Sequence, residues 1–165
     1  MKKIMKILSV IIVIVLICIL FYVLTYNTND HQTNRVYDFV SLSVETPFST
    51  ALLSFYDNGN ISYFAHAPEY GIDNHTDSSN ISQSQYQELI ESLENNDFWT
   101  LDDSVNDSLQ NTTLYTITVG FVPSSNSPGT DAGSDSVQCN TACSNEFMTI
   151  INKMKELWGK EVLEI

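Results

Sequence analysis

The chain has 165 residues, with 20 Asp and Glu against seven Lys and Arg and a net charge of −13. A surface of that sign repels nucleic-acid phosphates and anionic lipid headgroups, which excludes a nucleic-acid partner. The length suits one domain rather than several, and the chain carries no internal repeat.

The N-terminus opens with Lys2, Lys3 and Lys6 and no acidic residue, and an apolar run from Ile7 to Leu24 follows, whose polar members are Ser9 and Cys18. Thr25 and Tyr26 extend it to 20 residues. At about 1.5 Å per residue that run spans roughly 30 Å, the thickness of a bilayer's hydrocarbon core. Tyr22 and Tyr26 stand near its outer end, where amphipathic rings suit the headgroup level. A cleaved signal peptide has an apolar region of roughly 7–15 residues and a small-residue cleavage site, and Tyr22–Asn27 offers none. A lipid-attachment site at Cys18 calls for a small residue before it, where this chain has Ile17. The expected plan is therefore a basic tail (1–6), a transmembrane anchor (7–26), a linker (27–35) and a domain (36–165). With the lysines retained inside, the N-terminus is cytoplasmic and the domain extracytoplasmic, in a single-pass protein of the cell membrane whose lipid partner is met through residues 7–26. Three of the seven cations precede the run, which leaves four against 20 acids, a net charge of −16, on residues 27–165.

Alternation of Val40, Leu42 and Val44 with Phe39, Ser41 and Ser43 predicts a strand over 36–44. Two further strands, 51–56 and 61–65, flank Asp57-Asn58-Gly59-Asn60, and Asn58-Gly59 matches a two-residue hairpin turn with positive φ at both residues. Residues 67–80 read as a loop, with Pro68, Gly71 and many Asp, Asn and Ser. Ser82 and Gln85 then write a capping box, and Tyr86, Leu89, Ile90 and Leu93 mark one helical face. Asn95-Asn96-Asp97 ends this helix, and Phe98-Trp99 folds back towards the core. Residues 102–111 form an acidic loop. Tyr115, Ile117, Val119 and Phe121 alternate in a strand over 113–122, and a mobile Ser-, Gly- and Asp-rich segment follows. A short strand at 136–139 pairs back on it. A last helix is expected over 142–158, on the spacing of Phe147, Ile150, Ile151, Met154, Leu157 and Trp158, and Gly159 stops it. Val162, Leu163 and Ile165 suggest a terminal extended segment. The predicted class is α+β, in the order β-β-β-α-β-β-α, with helices on one face of an antiparallel sheet.

Asp57-Asn58-Gly59-Asn60-Ile61-Ser62-Tyr63, the capped helix from Ile81-Ser82 with Leu89 and Leu93, Asn96-Asp97-Phe98-Trp99, and Thr116-Ile117-Thr118-Val119 together resemble a pattern in small prokaryotic envelope domains. In those, a Gly-x-Val-x-Tyr strand precedes a capped helix, a Phe-rich exit and another strand. The resemblance covers residues 40–121. It implies an exported domain and carries over no site residue.

Chemistry-bearing constellations are few. Cys139 and Cys143 lie outside the apolar run, and in an oxidising compartment they are either a disulfide at the turn entering the last helix or two thiols. Five Asn-x-Ser/Thr sequons occur at Asn60, Asn74, Asn80, Asn106 and Asn111, all in or beside expected turns, as a glycosylated acceptor must be. His66 and His75 share a loop region with Asp73 and Asp77, while His31 stands apart, but no zinc-ligand spacing links them. Asp131–Asp135 and Asp57–Asn60 both fail the register of an EF-hand calcium loop. No nucleophile elbow, Ser-x-x-Lys, P-loop or dinucleotide fingerprint is present, so no catalytic residue, metal or cofactor is assigned. Tyr56, Tyr63, Phe64, Tyr70 and Tyr115 serve either to stack on sugars or peptides or to fill a sheet's inner face, and the core reading is preferred.

The expected function is a membrane-tethered binding or scaffolding module that meets a protein or surface partner outside the cell. Two alternatives stand beside it. One is a hydrolase of envelope polymers using loop carboxylates such as Asp73 and Asp77. The other is an accessory subunit of a membrane complex, although the apolar run has no Gly-x-x-x-Gly face.

Overall fold

In the computed structural model, the described residues are 35–106, 112–123, 133–140, 142–160 and 162. The apolar run at 7–26, its basic tail, and the linker up to residue 34 lie outside them. Among the described residues, no helix is long and apolar enough to cross a membrane.

Strands β1 (Arg35–Glu45), β2 (Thr50–Tyr56), β3 (Asn60–Ala67) and β4 (Ile72–Asn80) come first, followed by helix α1 (Gln83–Asn95), strands β5 (Leu114–Pro123) and β6 (Gly133–Cys139), and helix α2 (Asn145–Trp158). The strands form one sheet in the order β4-β3-β2-β1-β5-β6. The pairs β1/β2, β2/β3, β3/β4 and β5/β6 are antiparallel. At the β1/β5 seam the Ser41 hydroxyl donates to the Thr118 carbonyl at 3.5 Å, and the Phe39 ring lies against Gly120. Stepping back two residues on β1 thus moves forward two on β5, the antiparallel sense. The class is α+β, with a small antiparallel sheet and two helices.

Period-two alternation sets which face is buried. Val40, Leu42, Val44, Ala51, Leu53, Phe55, Ile61, Tyr63, Ala65, Ile117, Val119 and Val137 form one apolar cluster with Tyr86, Leu89, Ile90 and Leu93 of α1 and Phe147, Ile150, Ile151, Met154 and Trp158 of α2. Both helices therefore lie on the same face. Ser82 caps α1 by accepting from the Gln85 amide at 3.2 Å, while the Gln85 side-chain carbonyl accepts from the Ser82 amide at 3.0 Å. Ser144 caps α2 by accepting from the Phe147 amide at 3.1 Å. Each cap contributes about 1 kcal/mol. An ion pair of 2.8 Å between Lys153 and Glu88 ties the helices on their exposed side, and its hydrogen bond holds the Lys153 ammonium above its usual range.

The structure corrects the sequence reading of several elements. Residues 72–80, read as loop, are strand β4, preceded by a 3-10 turn at Pro68–Tyr70. Not one β4 residue is fully buried, so no apolar alternation marks it. It is an edge strand, and polar side chains there block pairing with foreign strands. The β2–β3 connection has three residues rather than two, and only Gly59 takes positive φ (82°). The Asn58 side chain accepts from the Asn60 amide at 3.0 Å, an Asx turn that helps close the connection. Helix α2 starts at Asn145 and not at Ala142, because Ala142 sits at φ 50° inside the loop closed by Cys139 and Cys143. Strand β6 begins at Gly133, three residues earlier than expected, in register with Phe121.

The 102–106 segment is also more ordered than an acidic loop. The Ser104 amide donates to the Gln138 carbonyl (2.8 Å) and its carbonyl accepts from the Asn140 amide (3.1 Å), while the Asp103 carboxylate accepts from the Gln138 amide (2.8 Å). This short parallel bridge covers the outer flank of β6. Phe98 is fully buried and Trp99 half-buried, as expected of the helix exit. Of the terminal extended segment only Val162 is described, and it is buried.

Candidate functional site

Both helices sit on one face, so the outward-pointing residues of β1–β6 lie on the other; among the described residues Leu52, Tyr56, Ser62, Phe64, Ser78 and Ser136 are exposed there, while Ser41 and Ser54 are buried between neighbouring strands. Cross-strand register aligns them in rows. The central row runs Ser41, Ser54, Ser62, Ser78 through β1–β4. It continues through Thr118 and Ser136, paired on β5 and β6, with the Ser41 hydroxyl bonding across to Thr118. Six hydroxyl side chains thus cross the sheet, one per strand. On one side of this row Leu52 pairs with Phe64, 40% and 36% exposed. On the other, Phe39 pairs with Tyr56, which is 38% exposed. Aromatic and aliphatic side chains left in solvent are the informative observation here, since the same strands bury their other face completely.

Near the β2–β3 turn this face dips into an open recess of about 540 Å³, walled by Tyr56, Asn58, Asn60, Ser62, Ser78 and Asn80. Asn60 and Asn80 are cross-strand partners, as are Ser62 and Ser78. None of these residues is charged. Nor is any other outward residue from Phe39 to Ser43, Leu52 to Tyr56, Asn60 to Phe64, or Thr76 to Asn80. The acids Glu88, Glu91 and Glu94 stand on α1, in the helical layer across the sheet. This stretch of the face is therefore uncharged in a chain with 20 carboxylates, and Glu45, at the end of β1 beyond it, accepts from the Ser43 hydroxyl at 3.1 Å.

The residues singled out from the sequence do not converge there as a catalytic set. Asp77 pairs instead with Lys160 at 2.6 Å. That hydrogen bond, and the Ser78 amide after it, hold its carboxyl below the usual range. A general acid for glycoside cleavage needs the opposite, a raised pKa. Asp73 presents its backbone carbonyl to His66 Nδ1 at 3.1 Å. His75 meets the edge of the Tyr63 ring, with centroids 6.2 Å apart, and His31 lies outside the described residues. Among the described residues, no three His, Cys, Asp or Glu side chains cluster to hold a metal. Asp131 also lies outside them, and Asp135 belongs to β6.

Cys139 and Cys143 form a disulfide with Cα atoms 5.6 Å apart. It ties the end of β6 to the residue before the α2 cap, beside a smaller recess of about 360 Å³ that includes Asp102, Ser104 and Phe147. Of the sequon asparagines, Asn60, Asn74, Asn80 and Asn106 are exposed. Asn60 and Asn80 are the end residues of β3 and β4, beside the β2–β3 turn and the α1 cap, and Asn74 lies within the unexpected β4. Asn111 lies outside the described residues.

The five aromatic residues divide. Tyr63 is buried and Tyr115 half-buried, but Tyr56, Phe64 and Tyr70 are exposed. The preference for core is corrected for those three. A parity signal was present: with Leu53 and Phe55 inward on β2, Tyr56 has to face the other way unless the strand is bulged.

No family model matches the chain, and no curated protein matches it. The turn, cap and strand motifs behind the expected resemblance to envelope domains over 40–121 have structural roles here.

Proposed function

We propose that this protein is a membrane-tethered binding module that presents the uncovered face of its sheet outside the cell. The observation that carries the reading is the division of the two faces. One is covered by α1 and α2, and the other exposes Tyr56, Leu52 and Phe64 beside the Ser62 and Ser78 hydroxyls, with no charged residue among them. Apolar surface flanked by polar groups marks an interaction site more often than a passive surface. The address follows from the 20-residue run after Lys6 and from the placement of the lysines before it. The disulfide fits an oxidising compartment. The ion pair that Asp77 makes with Lys160 favours binding over hydrolysis, since it removes one of the two carboxylates a hydrolase would recruit.

The test places a reporter on the proposed surface. Ser62→Cys, on the exposed face of β3, is expected to react with a membrane-impermeant maleimide in intact cells, with the protein sedimenting in the membrane fraction. Labelling only after lysis, or recovery of the full chain in the aqueous fraction, overturns the proposal.

A further inference from the structure

We propose that the recess bounded by Tyr56, Asn58, Asn60, Ser62, Ser78 and Asn80 binds a neutral carbohydrate. The inference deepens the reading of the outer sheet face as a binding surface and rests on it.

Three observations converge on this ligand class. The first is the donor and acceptor inventory. A side-chain amide offers two N–H donors and an acceptor carbonyl, and a serine hydroxyl donates and accepts. Sugar hydroxyls present the same dual character, so three amides and two hydroxyls in one recess match a polyhydroxyl surface. The second is availability. Among the described residues, the side chains of Asn60, Ser62, Ser78 and Asn80 make no hydrogen bond to the protein, and Asn58 uses only its carbonyl, towards the Asn60 amide. A ligand can therefore take these groups without breaking a structural contact. The third is the exposed Tyr56 ring at the recess wall. An aromatic face packs on the C–H face of a pyranose while its polar rim stays wet.

Charge selects among sugars. The recess has no cation to neutralise a uronate, sulfate or phosphate, and the chain carries −13 overall. Polyanionic glycans are therefore disfavoured both at the contact and on approach. The geometry also suits an oligomer better than a monosaccharide. The recess is open, and beyond Ser62 the exposed Phe64 and its partner Leu52 stand on the same face, so a further sugar unit can pack there.

The full chain, purified in detergent from a host that does not N-glycosylate, is titrated with neutral hexose and N-acetylhexosamine hexasaccharides and with a uronate hexasaccharide. Calorimetry is expected to show saturable binding of a neutral hexasaccharide and none of the uronate. Tyr56→Ala is expected to weaken that binding about tenfold, whereas Tyr70→Ala, outside the recess, leaves it unchanged. Should Tyr56→Ala lower the unfolding midpoint, Asn80→Asp asks the same question by placing a charge in the recess, with a similar loss expected. Failure of both neutral sugars to saturate by about 10 mM, equal binding of the uronate, or indifference to both recess substitutions overturns the proposal. So does finding Asn60 or Asn80 glycosylated in the chain's own cells, because the attached glycan then fills the recess. These readouts use purified protein and are independent of the maleimide result, so loss of the membrane address and loss of sugar binding are told apart.

Discussion

The ring of Phe39 occupies the space that a side chain on Gly120 would need, with Cδ1 at 2.6 Å and Cζ at 2.8 Å from an ideal Cβ there. Gly120 is not required for its dihedrals. It is required for the close approach of β1 and β5, whose register carries the hydroxyl row across the sheet. Gly120→Ala is expected to destabilise the domain by about 1–3 kcal/mol through overpacking. In a Phe39→Ala background the same change is expected to be nearly neutral. Urea denaturation of the four variants checks this, and additive effects would show that the two residues are uncoupled.

Gly59 and Gly71 separate conformation from space. Both have positive φ, 82° and 76°. A Cβ on Gly59 would lie 2.5 Å from the Ile81 carbonyl oxygen, a backbone atom that cannot swing away, whereas nothing lies within 4 Å at Gly71. Gly71→Ala is expected to cost about 1 kcal/mol, the conformational term alone. Gly59→Ala is expected to cost distinctly more and to weaken the hydrogen bond from the Ile81 amide to the Gly59 carbonyl, 2.9 Å here. Hydrogen exchange at Ile81 and the two unfolding midpoints provide the measurement.

The Cys139–Cys143 bridge closes a loop of five residues. Chain-entropy arguments assign such a short loop about 2 kcal/mol. Replacing both cysteines by serine is expected to lower stability by that order while leaving the denaturant slope unchanged. Reductant is expected to do the same to the parent chain and nothing further to the double variant.

Stability should also respond to acid through Asp77. Its carboxyl lies below the ordinary value of 3.8, first because Lys160 hydrogen-bonds it and then because the Ser78 amide does. A depressed folded-state pKa contributes stability above the unfolded value and loses it as pH falls through the folded one. Asp77→Asn is therefore expected to lower stability at neutral pH and to flatten the acid limb of the stability profile below pH about 4. Lys160→Ala is expected to flatten the same limb. A profile unchanged by either substitution would assign the acid sensitivity to other carboxylates. Added salt should reduce the neutral-pH difference, because both partners are partly exposed.

Legibility in the sequence follows the strength of local signals. Ser82 and Gln85 announce a helix start because a capping box satisfies backbone donors within four residues. Leu53 and Phe55, or Ile117 and Val119, announce strands because one face of each is buried. Strand β4 has no such mark. His75, Asp77 and Ser79 occupy its inward positions, opposite Ala65, Tyr63 and Ile61, and only hydrogen bonds to β3 make it a strand. The candidate recess was hidden for the same reason, because two of its walls, Ser78 and Asn80, stand on β4.

The sequence alone determined the α+β class, the caps at Ser82 and the stop at Gly159, the inward face of β2, β3 and β5, and the acidic balance of the chain. Those properties depend on neighbours within a few residues or on composition. Tertiary structure alone decided that β1 joins β5 and that Asn60 meets Asn80. These are pairings between residues about 20 or more positions apart, set by which surfaces can be buried together and not by any local preference. The uncharged recess and the exposed Tyr56, Leu52 and Phe64 exist because of them: strand register gathered these side chains on the face the helices do not cover.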